Sequence, residues 1–314
     1  MTLRRIGILS IGEMGYHWAR LIADRGGEVI TCFSGRSEVT RKRAENAGVR
    51  AVSMEKLVTE ADVIVCVVVP FAAKRVASKV AKALLKTGKE GALYLDANAI
   101  SPMTAREIAG ILAPARAVFV DGCIIGSATK MAEKSVVYVS GPEAERIKAL
   151  GDLGFNVSVL GPEVAQASAF KVLYAGLTKG LQGLLVELLV GAIKFGLLDE
   201  LINRYDKSFP GLVTSVGSSI NALPVHAGRR AEEMVELAQT LAHKGMKSRM
   251  APAVRRVLKE IASLKLGKAS ETGARKGDLR ETLELMEKNG LLMEERPERV
   301  IGEVNPNQPS QQGG

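Results

Sequence analysis

Residues 5–15 read RIGILSIGEMG, a short apolar run that ends in a serine and two spaced glycines. RIGILSIG (5–12) predicts a first strand, and MGYHWARLIADRGG (14–27) predicts a helix closed by two glycines. Ser10, Gly12 and Gly15 therefore fall at a strand-to-helix turn, where a dinucleotide fingerprint carries three glycines. Such a turn needs a tight bend, a close approach of backbone to a pyrophosphate, and close helix–strand packing. Gly12 and Gly15 suit the second and third needs, with the helix N-terminus turned to the phosphates. Ser10 departs from the first glycine, so this turn must tolerate a side chain there.

Outward from the turn, β-branched runs alternate with helical segments. EVITCFS (28–34) predicts a second strand and EVTRKRAENAG (38–48) a second helix. ADVIVCVVVP (61–70) is a continuous apolar run stopped by Pro70, as in a strand buried on both faces. ALYLDAN and AVFVDGCIIG add two strands; SVVYVSG and NVSVLG follow after shorter connections and are expected as antiparallel additions at the sheet edge. The fold class expected is α/β, a Rossmann-type, doubly wound, mostly parallel sheet followed by an all-helical C-terminal domain. The boundaries expected are 1–162 for the dinucleotide-binding domain, 163–296 for a substrate and dimerisation domain, and 297–314 for a disordered tail rich in Pro, Gly and Gln.

Helical patterns run from 163 to about 198, from 199 to about 205, through the 210s, and from about 228 to 244, 249 to 263 and 278 to 289. The first, about 35 residues, would be about 50 Å long. A helix of that length implies a covering partner, hence a homodimer. Gln182, Glu187 and Lys194 interrupt its apolar run, which argues for a buried helix rather than a membrane span.

Cofactor choice rests on the residues just past the second strand. CFSGRSEVTRKR (32–43) offers Ser34, Arg36 and Ser37, with no acid before Glu38. A carboxylate there would hold the ribose hydroxyls of NAD, whereas arginine and hydroxyl donors suit the 2′-phosphate of NADP. The alternative is a solvated basic helix start.

Composition narrows the partners. The net charge of +9 arises from basic residues that mostly alternate with acids, and only 4% of residues are aromatic, so neither nucleic acid nor a membrane is expected. A small-molecule substrate is. Cys32, Cys66 and Cys123 form neither a disulfide framework nor a zinc pattern, which suggests reduced thiols in a cytoplasmic protein and no metal. In ASAFKVLYAGLTKG (167–180), Lys171 sits among small and apolar residues. An ammonium there is solvent-facing, paired or employed in chemistry, and a lysine of lowered pKa can serve as a proton donor. Tyr174 and Thr178, at i+3 and i+7, would share its face.

GILSIGEMG (7–15), VVVP (67–70), DANAISP (96–102), FVDGCIIGS (119–127) and SAFKVLYAGLTKG (168–180) together resemble the β-hydroxyacid dehydrogenase family, relatives of 6-phosphogluconate dehydrogenase and of imine reductases. HAGRRAEEM (226–234) resembles a phosphogluconate-dehydrogenase-like branch. The resemblance implies that Gly12, Glu13, Met14 and Gly15 hold the pyrophosphate, that Val69 and Pro70 border the adenosine ribose, and that Asn98 lies beside the nicotinamide ribose. It places Lys171 on the catalytic lysine and assigns Gly126 and Ser127 to the substrate turn, with substrate-contacting groups near His226 and Arg230. Two departures stand out: Ile125 replaces the leading serine of the carboxylate-binding turn, and Ala175 replaces an asparagine.

The expected function is NADP-dependent hydride transfer to or from a small hydroxy or oxo substrate, with Lys171 as general acid/base. An imine reductase and a non-catalytic NADPH-binding partner protein are the alternatives.

Overall fold

The computed structural model describes residues 3–269 and 278–293, so the expectation of a disordered 297–314 tail lies outside the described residues. Strands β1 (Arg5–Ile8), β2 (Glu28–Thr31), β3 (Arg50–Ala51), β4 (Val63–Cys66), β5 (Leu93–Asp96), β6 (Val118–Ile125), β7 (Val136–Ser140) and β8 (Asn156–Gly161) form one sheet. Their order is β3-β2-β1-β4-β5-β6-β7-β8, the doubly wound arrangement.

Helices α1 (Glu13–Asp24), α2 (Glu38–Asn46), α3 (Met54–Glu60), α4 (Ala73–Thr87) and α5 (Pro102–Leu112) connect the first six strands. Side chains alternate across the sheet as the strand period of two requires. Val63, Val65, Leu93 and Leu95 pack with Trp18 and Ile22 of α1, while Ile64, Cys66 and Tyr94 pack with Val76, Val80 and Leu84 of α4 and Ile108 of α5. Both faces being covered explains why the middle strands read as unbroken apolar runs.

The sheet is parallel from β3 to β6, and β7 runs antiparallel to β6 as expected. β8 corrects the reading, because it pairs parallel to β7. A tight hairpin would reverse the chain, but a 3₁₀ segment of ten residues, Ala144–Leu153, carries it back along the sheet so that it re-enters in the same sense.

After β8 the described elements are helical: α6 (Gln166–Lys194), α7 (Leu198–Ser208), α8 (Leu212–Asn221), α9 (Leu223–Ala242), α10 (Met250–Ser263) and α11 (Leu279–Lys288). α6 is one helix of 29 residues, shorter at both ends than the 163–198 pattern. α9 begins earlier than expected, with Pro224 inside its first turn, where a missing N–H costs nothing. By length and composition alone α6 could cross a membrane, and 39% of its apolar stretch is buried.

Two compact units are present, and both cut across the chain order. Among the described residues, one comprises 3–181 and 229–255, the other 182–228, 256–269 and 278–293. In the second unit, Gly217 of α8 lets Leu279 of α11 approach to 3.3 Å of where a Cβ would stand, and Lys194 pairs with Glu287 at 2.8 Å. The β1 turn, Lys171 and α9 from Arg229 onward lie in the first unit.

Candidate nucleotide and substrate site

The turn after β1 is shaped by its glycines. A Cβ on Gly15 would stand 2.0 Å from the Ser10 carbonyl oxygen, so only glycine lets α1 pack this closely on β1. A Cβ on Gly12 would meet nothing within 4 Å, and no side chain caps α1, whose N-cap is Gly12 itself. The first-turn N–H groups of Glu13, Met14 and Gly15 thus lack a side-chain acceptor and can be approached by an anion. Ser10 is tolerated because the turn asks no left-handed residue of it; among the described residues only Arg116, Ala165, Lys265 and Leu292 are non-glycine positions with positive φ. These observations fit a bound dinucleotide pyrophosphate.

Beyond β2, a cavity of about 310 Å³ is lined by Leu9, Cys32, Ser34, Gly35 and Arg36 on one side and by α3 and α4 on the other. Arg36 donates from Nη2 to the Leu9 carbonyl at 2.7 Å, which fixes the guanidinium at the mouth of the β1 turn. Ser37 is the N-cap of α2, and its hydroxyl accepts from the Thr40 N–H at 3.4 Å. Val69 is exposed and Pro70 opens a short turn before α4.

Asn98 lies behind this region and is buried. Its Oδ1 accepts from the Val68 N–H at 2.6 Å, and its Nδ2 donates to Asp96 Oδ1 at 2.8 Å and toward Cys66 Sγ at 3.4 Å. The residue ties the ends of β4 and β5 together. Burial pushes the Asp96 carboxyl up to about 7 against the lowering effect of the Asn98 bonds, and pushes the Cys66 thiol up to about 12.

Lys171 lies on the first part of α6, whose start is anchored to β6 and β7. The buried Asp121 accepts from the Ser168 N–H at 2.8 Å and from Ser168 Oγ at 2.6 Å, and Ser140 Oγ accepts from the Ala167 N–H at 2.9 Å. Donors at the head of a helix are satisfied in this way by a buried carboxylate and a hydroxyl. Burial raises the Asp121 carboxyl to about 6 even so. From this anchor Lys171 Nζ reaches the Ile124 carbonyl at 2.7 Å. Burial lowers the ammonium's pKa, and the nearby Lys179 pushes the same way.

A second cavity of about 450 Å³ adjoins this lysine. Lys171, Val172, Ala175 and Lys179 of α6 line it, with Pro70, Ala99 and Ile100, and facing them Arg229, Glu232, Glu233 and Glu236 of α9. The two helices come close where Gly176 lets Leu237 approach to 2.7 Å of a notional Cβ. Lys179 and Arg229 both bridge Glu233, at 2.7 and 2.8 Å. Burial, then the charge of Glu233, raises the Glu236 carboxyl, which pairs with no cation among the described residues.

Other expected site residues lie apart from this lining. Tyr174 is exposed, and Thr178 Oγ1 donates to the Ala175 carbonyl at 2.9 Å. Gly126 has φ +133, and a Cβ there would clash with Ser135, whose hydroxyl donates to the Ser127 carbonyl at 2.8 Å. His226 falls in the other compact unit, and Arg229 rather than Arg230 lines the cavity; burial lowers the pKa of Arg230. Sequence reasoning missed Asp121, Lys179 and Glu236. Only Asp121 left a signal, an acid within the apolar run FVDGCII.

Residues 5–154 match the NAD-binding domain of 6-phosphogluconate dehydrogenase, and residues 192–261 match DUF1932, a domain of unknown function. An uncharacterised 28.5 kDa protein in the 7S RNA 5′ region of Methanothermus fervidus is 33% identical over 264 residues, 82% of this chain and 98% of the relative. A conserved protein of unknown function, described as structurally similar to 3-hydroxyacid dehydrogenases, superposes with TM-score 0.72 at 30% identity, covering 84% of this chain and 98% of that one. The 3-hydroxyisobutyrate dehydrogenase of Mycobacterium tuberculosis shares the fold, with TM-score 0.73 at 18% identity over 91% of this chain and 99% of that one. With its 6-phosphogluconate-dehydrogenase-type NAD-binding domain followed by a DUF1932 segment, the chain belongs to the β-hydroxyacid dehydrogenase family.

Proposed function

We propose that this protein is an NADP-dependent oxidoreductase acting on a small hydroxy or oxo substrate held beside Lys171. The observation that carries the reading is the half-buried Lys171 ammonium, fixed by the Ile124 carbonyl and lining a cavity large enough for a small metabolite. When bound, the nicotinamide supplies or accepts the hydride. In the reducing direction Lys171 Nζ donates a proton to the oxygen of the carbonyl as negative charge develops there. In the oxidising direction the neutral amine removes the hydroxyl proton. The lowered pKa of the lysine eases both steps. Asp121, Ser140 and Ser168 hold the head of α6 and so position the amine.

A second reading, an imine reductase, draws support from the acidic side of the cavity. Glu236 is a carboxylate without a cationic partner among the described residues, Gly126 and Ser127 are not in the lining, and Ala175 offers no amide. A substrate bearing an amine or iminium would match Glu236 better than a simple carboxylate would. The family membership and the anchored lysine weigh against a non-catalytic partner protein. A homodimer belongs to the proposal, supported by Leu173, Leu177, Leu184 and Leu188, which are exposed along one face of α6. A cytoplasmic location is supported by three buried, unbridged cysteines.

The test is NADPH oxidation over a panel of oxo acids, aldehydes, amino ketones and cyclic imines, with wild type beside Lys171→Met. Turnover should fall about 10²–10⁴-fold in the variant while NADPH affinity holds. Tyr174→Phe should cost less, and Thr178→Val less again. Full turnover in Lys171→Met removes the lysine from the chemistry, and no turnover on any panel member favours the non-catalytic reading.

A further inference from the structure

Along α4, Arg75, Lys79, Lys82 and Lys86 recur at i, i+4, i+7 and i+11, which stacks four cations on one face. That face lines the cavity that also holds Ser34, Gly35 and Arg36. Glu55 is the one acid in the lining, and it is spent on Lys86 at 2.9 Å. Arg75, Lys79 and Lys82 have no ion-pair partner among the described residues. Like charges one turn apart repel, so this arrangement destabilises α4 unless an anion occupies the cavity. The neighbouring cation on the other side of the helix is treated differently: Lys74 pairs with Glu107 at 2.8 Å. The floor between the cations is apolar, formed by Leu9, Cys32, Met54 and Val76. A flat base can lie on such a floor while a phosphate meets the rim.

We propose that α4 supplies half of the 2′-phosphate site. Arg75 and Lys79, with Lys82 one turn further along, grip the phosphomonoester of an adenosine 2′-phosphate group from the side opposite Arg36. The proposal rests on the NADP reading and deepens it, because selectivity for the phosphate is shared between the loop after β2 and a helix more than thirty residues later. A phosphomonoester dianion between cations on both sides gains charge-assisted bonds that a single loop arginine, already bonded to Leu9, supplies only in part.

Binding of fragments tests this without turnover. Adenosine 2′,5′-bisphosphate and AMP are titrated calorimetrically against wild type, the double variant Arg75→Gln/Lys79→Gln, and Lys74→Gln as a control that removes one α4 charge outside the cavity. The expectation for wild type is bisphosphate bound at least tenfold more tightly than AMP. The double variant should lose at least tenfold for the bisphosphate and less than twofold for AMP, and Lys74→Gln should change neither. Both variants alter exposed side chains, and a melting curve checks that each is folded. An unchanged bisphosphate affinity in the double variant overturns the role of α4 while leaving the NADP reading intact. Equal losses for both fragments also overturn it, since the phosphate would then not be what α4 recognises. Wild type binding both fragments equally overturns the NADP reading itself and the proposal with it.

Discussion

Asp121→Asn should change how stability depends on pH. The carboxylate is fully buried on β6 and accepts two bonds from Ser168, with a longer contact to Ser140 Oγ at 3.4 Å. Burial outweighs these bonds and raises its pKa from 3.8 to about 6. Because the folded value is the higher one, the native state keeps a proton that the unfolded chain has already released. Its contribution is fully present below the unfolded pKa and is lost as pH rises through the folded one. The rise from 3.8 to about 6 corresponds to about 3 kcal/mol of stability lost between roughly pH 4 and pH 7.

Asparagine has no proton to lose in that window. Its oxygen can accept from the Ser168 N–H while its amide donates to Ser168 Oγ, so the head of α6 stays anchored. Relative to wild type, the variant should therefore gain about 3 kcal/mol between pH 4 and pH 7, whatever its absolute stability. Asp96 sits near enough to be repelled by Asp121, and relief of that repulsion acts in the same direction. The surface carboxylates whose pKa values are lowered by arginine or lysine partners, Glu28, Glu55 and Glu60, are common to both proteins and cancel in the difference. Urea unfolding at a series of pH values is the assay, followed through the only tryptophan in the chain. Trp18 is buried against Phe155, with ring centroids 4.5 Å apart, and reports on the first unit. Parallel stability profiles for the two proteins would refute the argument.

Gly15→Ala should destabilise by about 1–3 kcal/mol and abolish measurable nucleotide binding, because its Cβ forces α1 away from the Ser10 carbonyl; a melting curve with an NADPH titration checks both, and normal binding contradicts the role of that contact. Light scattering in dilute solution should give twice the chain mass of 33.5 kDa, with Leu177→Lys shifting the protein toward monomer; a wild-type monomer removes the proposed interface on α6.

The parts of the fold most legible in the sequence were those set by local pattern. RIGILSIGEMG announced strand, turn and helix because an apolar run gives way to spaced glycines, and close packing of α1 on β1 admits only glycine at Gly15. The run ADVIVCVVVP announced a strand covered on both faces, of which the structure keeps VIVC (63–66). The direction of β8 was not legible, since NVSVLG reads the same in either sense and a distant pairing decides it. The cations of α4 looked scattered along the chain, and only the 3.6-residue turn gathers them. Asp121 and Ser168 are 47 residues apart, so nothing local marks them as partners. The α9 acids were readable as surface ion pairs, which Arg229 and Glu233 in part are, while Glu236 acquires its meaning only from the cavity it borders.

The sense of β8 has a consequence for how the chain can be re-engineered. Its end, Gly161, pairs with Ser140, which in turn pairs with Asp121, so the chain leaves the sheet beside the residues that receive α6. Replacing the Ala144–Leu153 crossover with a two-residue hairpin would reverse β8 and release the chain at the Val136 end instead. That exit is four residues away along β7, about 13 Å at strand rise, and next to Ile125 rather than Asp121. Ala167 and Ser168 would no longer meet Ser140 and Asp121, and Lys171 would overshoot the Ile124 carbonyl. A segment that lines neither cavity thus sets the address of the lysine. Deletions that shorten it should lower the turnover proposed for Lys171 even where the sheet still closes.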